Sequence, residues 1–163
     1  MGAACTKPVV GDLIRPFIPA PVSKLNMDSA EVNSIISEQT KANSIILWDS
    51  HYDAIEYGDV KKFLLSNINA TYVVDRCDCD DFSVHLTSRF REHAYGMTSS
   101  KGLKGGPLFG ILTGDLKLKA GDPDRPHAVC FFIDSNKELY IVDGMYNDIL
   151  KLTPSMSVWN VIV

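Results

Sequence analysis

The chain has 163 residues, with 16 basic and 20 acidic side chains that give a net charge of −4 at pH 7. This length suits one domain, and a composition that is 45% hydrophobic and 22% charged is typical of a globular protein that folds without disulfide staples. The acidic balance without a basic stripe argues against nucleic-acid binding, and no run approaches the roughly 18 apolar residues of a membrane span.

Residues 1–26 carry four prolines and are predicted to form an extended N-terminal arm before a single domain over residues 27–163. The start has no apolar segment of the signal-peptide type, so the expected location is cytoplasmic or intracellular. Gly2 with Thr6 matches the N-myristoylation pattern and Cys5 is a palmitoylation candidate, although small residues are common at chain starts. We therefore expect no membrane partner unless Gly2 is acylated.

Two helices and two strands are predicted in the first half of the domain. Asp28 followed by Glu31 forms a capping-box pattern before "SAEVNSIISEQT", whose apolar residues share one helical face. Asp59 is predicted to cap a second helix over "VKKFLLSNI". The short apolar runs "NSIILW" and "ATYVVD" are typical of strands, and the first is expected to be buried.

A third helix and four β-rich runs are predicted in the second half. The spacing of Phe82, Leu86 and Phe90 indicates a helix that starts near Cys79, and the glycines of residues 96–107 predict a surface loop. The runs "LFGILTGDLKL", "HAVCFFID", "ELYIVDG" and "SVWNVIV" predict strands, with "SNK" as the turn of an antiparallel hairpin. Helices followed by strands indicate an α+β fold, with N-terminal helices packed on an antiparallel sheet.

The stretch "DRCDCDDF" at residues 75–82 combines two of the four cysteines with four aspartates. Cys77 and Cys79 are too close for an easy mutual disulfide, and we interpret the cysteines as thiols of a reducing compartment. A helix that begins at Cys79 stabilises a thiolate through its N-terminus, whereas Asp80 and Asp81 in the first turn oppose it. A nearby imidazolium would favour the thiolate of Cys79 over the neutral thiol.

A base and an orienting acid follow on the predicted hairpin. His127 opens "HAVCFFI" and Asp143 ends "LYIVD", so a turn at "SNK" sets His127 opposite Asp143 or Gly144. Cys79, His127 and Asp143 would then be nucleophile, base and orienting group. The backbone at the helix start, with the Trp48 indole, would bind an oxyanion. Each residue also has a structural interpretation, as helix-start thiol, strand histidine, turn aspartate and core tryptophan.

Three segments resemble a known family. "DCDDF" (78–82), "HAVCFFID" (127–134) and "LYIVDG" (139–144) resemble the papain-like domain at the C-terminus of a fungal mushroom agglutinin, with related stand-alone proteins in bacteria and phages. The resemblance implies a papain-like cysteine-peptidase fold in which calcium or a similar divalent cation supports activity. The order Cys, His, Asp also resembles transglutaminase-like peptidases.

The resemblance implies roles for individual residues. Cys79 matches the nucleophile and His127 the base, and Asp81 is a candidate metal ligand. Asp143 stands in "VDGMY", where the family carries a glutamate within Glu-Pro-Gln, and Cys130 stands where an asparagine is common. These departures leave the third member of the triad and the metal site open, and Asp81 has an equal interpretation as a helix first-turn charge.

The leading sequence-based hypothesis is a thiol hydrolase or acyltransferase, most simply a cysteine peptidase acting on a protein or peptide. The alternatives are a catalytically inactive interaction protein, such as a phage or viral accessory factor, and a small zinc or calcium module. Packing of the hairpin over the helix start would bring Asp78, Asp80, Asp81 and Asp143 together, and a divalent cation would relieve their repulsion. Otherwise these side chains cap the helix and face solvent.

Overall fold

Three helices and nine strands are formed by the residues that the computed structural model describes, which are 25–67, 78–101, 105–118, 125–144, 148–153 and 155–163. The helices are α1 (Ser29–Thr40), α2 (Tyr57–Asn67) and α3 (Cys79–Lys101). The strands are β1 (Asn26–Asp28), β2 (Ser44–Ile46), β3 (His51–Asp53), β4 (Gly106–Pro107), β5 (Phe109–Leu116), β6 (Arg125–Ile133), β7 (Leu139–Asp143), β8 (Asp148–Lys151) and β9 (Ser157–Ile162).

The larger sheet has six strands in the order β2-β9-β5-β6-β7-β8. Its neighbouring strands are antiparallel except for the β2–β9 pair, which is parallel. A three-stranded sheet, β1-β3-β4, joins β1 and β3 antiparallel and β3 and β4 parallel. The α+β class is therefore confirmed. None of the described helices is both long and apolar enough to cross a membrane.

The middle of the larger sheet is buried on both faces. Alternate residues of β6 point to opposite faces, so Val129 and Phe131 lie in one core while Cys130 and Phe132 lie in a second. The first core includes residues of α1, and the second includes residues of α2 and α3. Burial on both faces explains why "HAVCFFI" is a continuous apolar run. Each large side chain buried here contributes roughly 1.5–3 kcal/mol to stability.

Helix α1 begins as its sequence predicts. The Asp28 side chain accepts a hydrogen bond from the backbone N–H of Glu31 at 2.8 Å, which satisfies one of the free donors of the first turn. Gln39, near the other end, donates to the carbonyl of Lys137 at 2.7 Å and accepts from the N–H of Leu139 at 2.9 Å. Helix α1 is thus held to the turn between β6 and β7.

The predicted start of α2 is wrong. The helix begins at Tyr57, and Asp59 lies within its first turn, where its N–H donates to the carbonyl of Glu56 at 2.9 Å. The Asp59 carboxylate is 3.7 Å from Lys62 Nζ, and burial raises its pKa. An aspartate in a first turn stabilises the helix N-terminus as a cap does. The position of Asp59 therefore predicted a helix start about one turn later than the observed start at Tyr57.

The predicted loop over residues 96–107 is also wrong in its first half, because α3 continues to Lys101. One glycine in the helix, Gly96, costs about 1 kcal/mol relative to alanine, which a long helix packed on a sheet tolerates. The predicted strand "NSIILW" at residues 43–48 exists only as β2, an edge strand where Ile46 is 45% exposed rather than buried. The predicted arm, apart from residues 25 and 26, and the strand "ATYVVD" lie outside the described residues, as do Gly2, Cys5 and Cys77.

Candidate functional site

Cys79 is the first residue of α3, as predicted, and its thiol is partly exposed. The first turn is closed by the N–H of Phe82, which donates to the carbonyl of Asp78 at 3.0 Å. The Ser83 hydroxyl donates to the carbonyl of Cys79 at 2.7 Å. The partly exposed Cys79 therefore lies at the N-terminus of a long helix, where the backbone N–H groups of Asp80 and Asp81 are hydrogen-bonded by aspartate carboxylates.

His127 and Asp143 lie on the adjacent strands β6 and β7, in a register that differs from the predicted one. Cys130 pairs with Val142, and the same register carried one residue further sets Val129 level with Asp143. The prediction that His127 is opposite Asp143 or Gly144 is therefore wrong. His127 and Asp143 are diagonal neighbours on one face of the sheet, within reach of electrostatic interaction.

The pKa of His127 is lowered from its ordinary value, chiefly by burial. The negative charge of Asp143 opposes that effect and the positive charge of Arg125 adds to it. Asp143 is itself only 2% exposed. Burial therefore favours the neutral form of the His127 imidazole, and the buried Asp143 carboxylate favours the charged form.

The structure does not join Cys79 to His127 through a hydrogen bond, within the residues it describes. By strand alternation His127 shares the sheet face of Val129, whereas α3 packs on the face of Cys130. A contact between the thiol and the imidazole would have to form at the edge of the sheet, where β6 begins. The assembly of Cys79, His127 and Asp143 into one site stays a prediction.

Cys130 has the structural role that its place in an apolar strand indicates. Its thiol donates to the carbonyl of Ser83 at 3.3 Å and lies 3.4 Å from the Thr87 hydroxyl. Burial raises the pKa of Cys130 to about 12, so its thiolate does not form near neutral pH. Through these contacts Cys130 links helix α3 to strand β6.

The carboxylates of Asp78, Asp80 and Asp81 converge at the start of α3, each contributing an oxygen within 4.8 Å of the others. A hydrogen bond with Asp80 raises the pKa of Asp78, and the same contact lowers the pKa of Asp80. Three clustered carboxylate oxygens are ligands that calcium prefers, so these residues fit a hard divalent cation. Asp143, which the sequence analysis added to the group, is buried at the end of β7 and is not part of it.

Trp48 is not a core residue, because 72% of it is exposed. The backbone N–H of Trp48 donates to the backbone carbonyl of Val163 at 3.2 Å. The N–H of Asp49 donates to the Tyr52 hydroxyl at 2.8 Å, and the Asp49 carboxylate lies 4.0 Å from the Arg91 guanidinium. The segment "WDSHY" contains Asp49, but the contact with Arg91 could not be predicted from it, because the two residues are far apart in sequence.

A shallow polar cleft lies where α1 meets β7 and β8. Its lining residues are Gln39, Glu138, Leu139, Lys151 and Leu152. Glu138 accepts from Lys151 Nζ at 2.6 Å and from the Tyr140 hydroxyl at 2.7 Å, and these bonds lower its pKa. The Glu138 contact raises the pKa of Tyr140 to about 12. The polar groups here are partnered with one another, which is typical of a structural network.

No family model matches the sequence, and no curated protein is similar to it. Several solved structures share its fold, and PSL1a and the Polyporus squamosus lectin are among them. PSL1a in complex with E64 has a TM-score of 0.69 at 13% identity, over 86% of this chain and 52% of that chain. The lectin of Polyporus squamosus, bound to the human-type influenza-binding epitope Neu5Acα2-6Galβ1-4GlcNAc, has a TM-score of 0.69 at 14% identity, over 86% of this chain and 50% of that chain.

The predicted resemblance to a fungal agglutinin is confirmed at the level of fold. This chain spans about half the length of the solved chains that it matches. The predicted function is wrong, because the neighbouring protein is a lectin and one structure holds a glycan epitope. The hydrolase, acyltransferase and accessory-protein interpretations are therefore not retained, and neither is the predicted protein or peptide substrate.

Proposed function

We propose that this chain is a carbohydrate-binding domain. The observation that supports the proposal is the fold, which follows a lectin over 86% of the chain at a TM-score of 0.69. The same neighbour was solved with a sialylated trisaccharide bound. Since the chain spans about half of that protein, the proposal requires that the shared half can bind sugar on its own.

The test is calorimetric titration of the isolated chain with two sugars. One is Neu5Acα2-6Galβ1-4GlcNAc, the epitope of the neighbouring structure, and the other is its neutral part, Galβ1-4GlcNAc. Maltose, a disaccharide of the same size, is the control. We expect saturable binding of at least one of the two sugars and none of maltose. Lack of binding of both sugars at millimolar concentration would overturn the proposal.

For the finer fold we propose the papain-like arrangement. It is supported by a helix that begins at Cys79 and packs on the antiparallel strands that carry His127 and Asp143. An experimental structure tests it through the distance from Cys79 Sγ to the nearer ring nitrogen of His127. A distance of ~4–5 Å supports the arrangement, and one beyond about 8 Å contradicts it.

The complex of PSL1a, which shares the fold, favours a second ligand site on this chain at the start of α3. PSL1a was solved as a complex with E64, and we place an E64 site on this chain beside Cys79, with His127 and Asp143 completing it. Melting of the wild type with E64 should occur at a higher temperature than without it, because a ligand of the folded state stabilises that state. Cys79→Ser should lose this response and Cys130→Ala, at the buried thiol, should keep it. Equal responses from all three proteins would reject this site.

The three clustered aspartates at the start of α3 carry the proposed calcium site. Calcium supplies positive charge that would offset the mutual repulsion of Asp78, Asp80 and Asp81. We expect millimolar calcium to raise the melting temperature of the wild type and to leave that of Asp81→Asn nearly unchanged. Sodium chloride at the same ionic strength is the control. If calcium shifts neither protein and calorimetry detects no binding, these residues serve only to cap the helix.

A further inference from the structure

Three isoleucines lie side by side on the larger sheet and belong to neither of its hydrophobic cores. Ile111 of β5 is directly opposite Ile162 of β9, and Ile162 is paired in turn with Ile46 of β2. Directly opposed residues point to the same face of a sheet, so the three side chains form one apolar row. Ile46 is 45% exposed and the other two are half-buried, whereas Leu112 and Val161, on the other face of β5 and β9, are fully buried. Within the described residues, the face with the isoleucine row is therefore the open one.

Helix α3 covers the neighbouring part of the same face. Ile111 is opposite Cys130 of β6, whose thiol donates to the carbonyl of Ser83 on α3. The ring of Phe109, two residues before Ile111 on β5, stacks on that of Phe90 of α3 with centroids 4.2 Å apart. The isoleucine row therefore starts beside α3 and runs to β2, the last strand on that side of the sheet. A ligand on this surface would be bordered by a helix and would rest on the row.

A polar row lies next to the apolar one, two residues along each strand. Thr113 of β5 is opposite Asn160 of β9, which is paired with Ser44 of β2. The Asn160 side-chain amide donates to the Thr113 hydroxyl at 3.1 Å, and this bond holds the amide in one orientation. Its carbonyl oxygen and second N–H have no partner among the described residues, so they can accept from a ligand and donate to it. An amide that is already oriented has less conformational freedom to lose on binding.

The two rows together suit a neutral ligand with an apolar face and a polar edge. Neither row contains a charged residue, although 22% of the chain is charged. The first charged residue beyond Thr113 on this face of β5 is Asp115, whose negative charge would repel the carboxylate of an acidic sugar. A sugar ring has an apolar face of C–H groups and hydroxyl groups that both donate and accept. Three neighbouring strands span about 10 Å, so the surface accommodates a disaccharide.

We propose that this surface, made of the isoleucine row and the row of Ser44, Asn160 and Thr113, binds a neutral disaccharide. The C–H face of the sugar packs on the isoleucines and removes them from water. The Asn160 amide donates to one sugar hydroxyl and accepts from another. This inference rests on the proposed carbohydrate binding and names the site and the class of its ligand.

Calorimetric titration of the full chain with Galβ1-4GlcNAc tests the site. Asn160→Ala should weaken binding at least tenfold, because it removes the oriented amide. Ile46→Thr, which keeps a β-branched residue in the strand but shortens the apolar row, should also weaken it. Asn33→Ala is the matched control, since Asn33 is exposed on α1, which packs on the other face of the sheet. It should bind as the wild type does, and circular dichroism checks that each variant is folded.

Proton–nitrogen NMR spectra locate the sugar directly. The side-chain amide signal of Asn160 is identified by its loss in Asn160→Ala, and that of Asn33 by its loss in Asn33→Ala. Addition of Galβ1-4GlcNAc to the wild type should shift the Asn160 signal and leave the Asn33 signal in place. An Asn160 signal that stays in place while calorimetry shows binding would overturn the site.

The outcomes separate the site from the proposed function. If the wild type binds Galβ1-4GlcNAc and both Asn160→Ala and Ile46→Thr bind it equally well, the site is overturned while the proposed function stands. If the wild type binds neither this sugar nor Neu5Acα2-6Galβ1-4GlcNAc, both fall. Binding of the sialylated sugar through Asn160 more than tenfold tighter than that of the neutral one would overturn the neutral class of ligand. Self-association in sedimentation that Ile46→Thr abolishes and the sugar leaves unchanged would assign the surface to a second copy of the chain and overturn the sugar site.

Discussion

Cys79 and Cys130 carry the same thiol in opposite surroundings. Cys79 is partly exposed at the first residue of α3, whereas Cys130 is 1% exposed and hydrogen-bonded to Ser83. The sequence could predict this contrast, because one cysteine follows a helix-start pattern and the other lies within an apolar strand. It could not predict the partners of either thiol, because these depend on how α3 is placed against β6.

The first prediction concerns alkylation by iodoacetamide. In the native protein Cys79 should be labelled, and Cys130 should stay unlabelled until denaturant is added, because burial raises the pKa of Cys130 to about 12. Peptide mass spectrometry before and after guanidinium measures both sites. Labelling of Cys130 at a rate comparable to that of Cys79 in the native state would contradict the described packing.

His127 yields a prediction about protonation. Burial lowers its pKa and the Asp143 charge opposes that effect, so Asp143→Asn should lower the pKa of His127 further. An NMR titration of the imidazole ring protons measures this, with His127→Gln to assign the signal. A pKa that rises in Asp143→Asn would show that the two side chains do not interact as described.

The same shift makes stability depend on pH. The unfolded chain binds a proton at His127 near pH 6.5, while the folded chain binds it only at lower pH. The unfolded state therefore holds more protons, and the free energy of unfolding should decrease as the pH falls below about 6.5. Urea unfolding at several pH values should show a smaller decrease for His127→Gln than for the wild type. An unchanged decrease would assign the effect to other groups, such as His93, whose pKa burial also lowers.

Local sequence patterns predicted where helices begin and which segments form strands. They predicted less well where helices end and which strand lies at the edge of a sheet. Asp28 and the apolar period after it predicted α1, and the spacing after Cys79 predicted the start of α3. The end of α3 was missed because glycine is only a modest cost in a helix that packs on a sheet. Exposure of β2 was missed because position at the edge of a sheet depends on strand order, which a short apolar run does not encode.

Alanine substitutions at Gly110 and Gly58 should have opposite effects on stability, so each is a control for the other. A Cβ on Gly110 of β5 would lie 2.1 Å from the carbonyl oxygen of Ile162, so Gly110→Ala should push β5 from β9 and cost about 1–3 kcal/mol. Gly58 in α2 has no atom within 4 Å of an added Cβ, and Gly58→Ala should stabilise the helix by up to about 1 kcal/mol. Chemical denaturation measures both changes. Equal effects of the two substitutions would contradict the close approach of β5 to β9.

At the scale of the whole molecule, the two cores share the strands β5, β6 and β7, whose residues alternate between them. Loss of either core would expose one face of the same strands, so we expect the protein to unfold in one cooperative step. Circular dichroism of the backbone and of the aromatic side chains should give the same midpoint. Phe131→Leu and Phe132→Leu, one in each core, should lower both midpoints together, and separated transitions would show that the cores are independent.

The fold class that the sequence predicted is confirmed, whereas the predicted peptidase function is not supported by the solved structures that share the fold. The order of Cys79, His127 and Asp143 along the chain suggested a catalytic triad, yet chain order does not fix distances between side chains. The register of β6 with β7 moved His127 away from the position opposite Asp143. The contact between Asp49 and Arg91 was not predicted, because one residue lies on a connecting segment and the other on a helix far along the sequence.

The bond between Gln39 and Leu139 joins residues that are 100 positions apart, and β2 pairs with β9 across a similar separation. Contacts of this kind require the chain to close a long loop before they add any stability, so their entropy cost comes first. Proteins dominated by distant pairings refold in milliseconds to seconds, slower than helical bundles of similar stability. We expect α1 and β2 to dock after β5, β6 and β7 have formed, so the exposed surface at Ile46 and Trp48 would be among the last parts of the molecule to form.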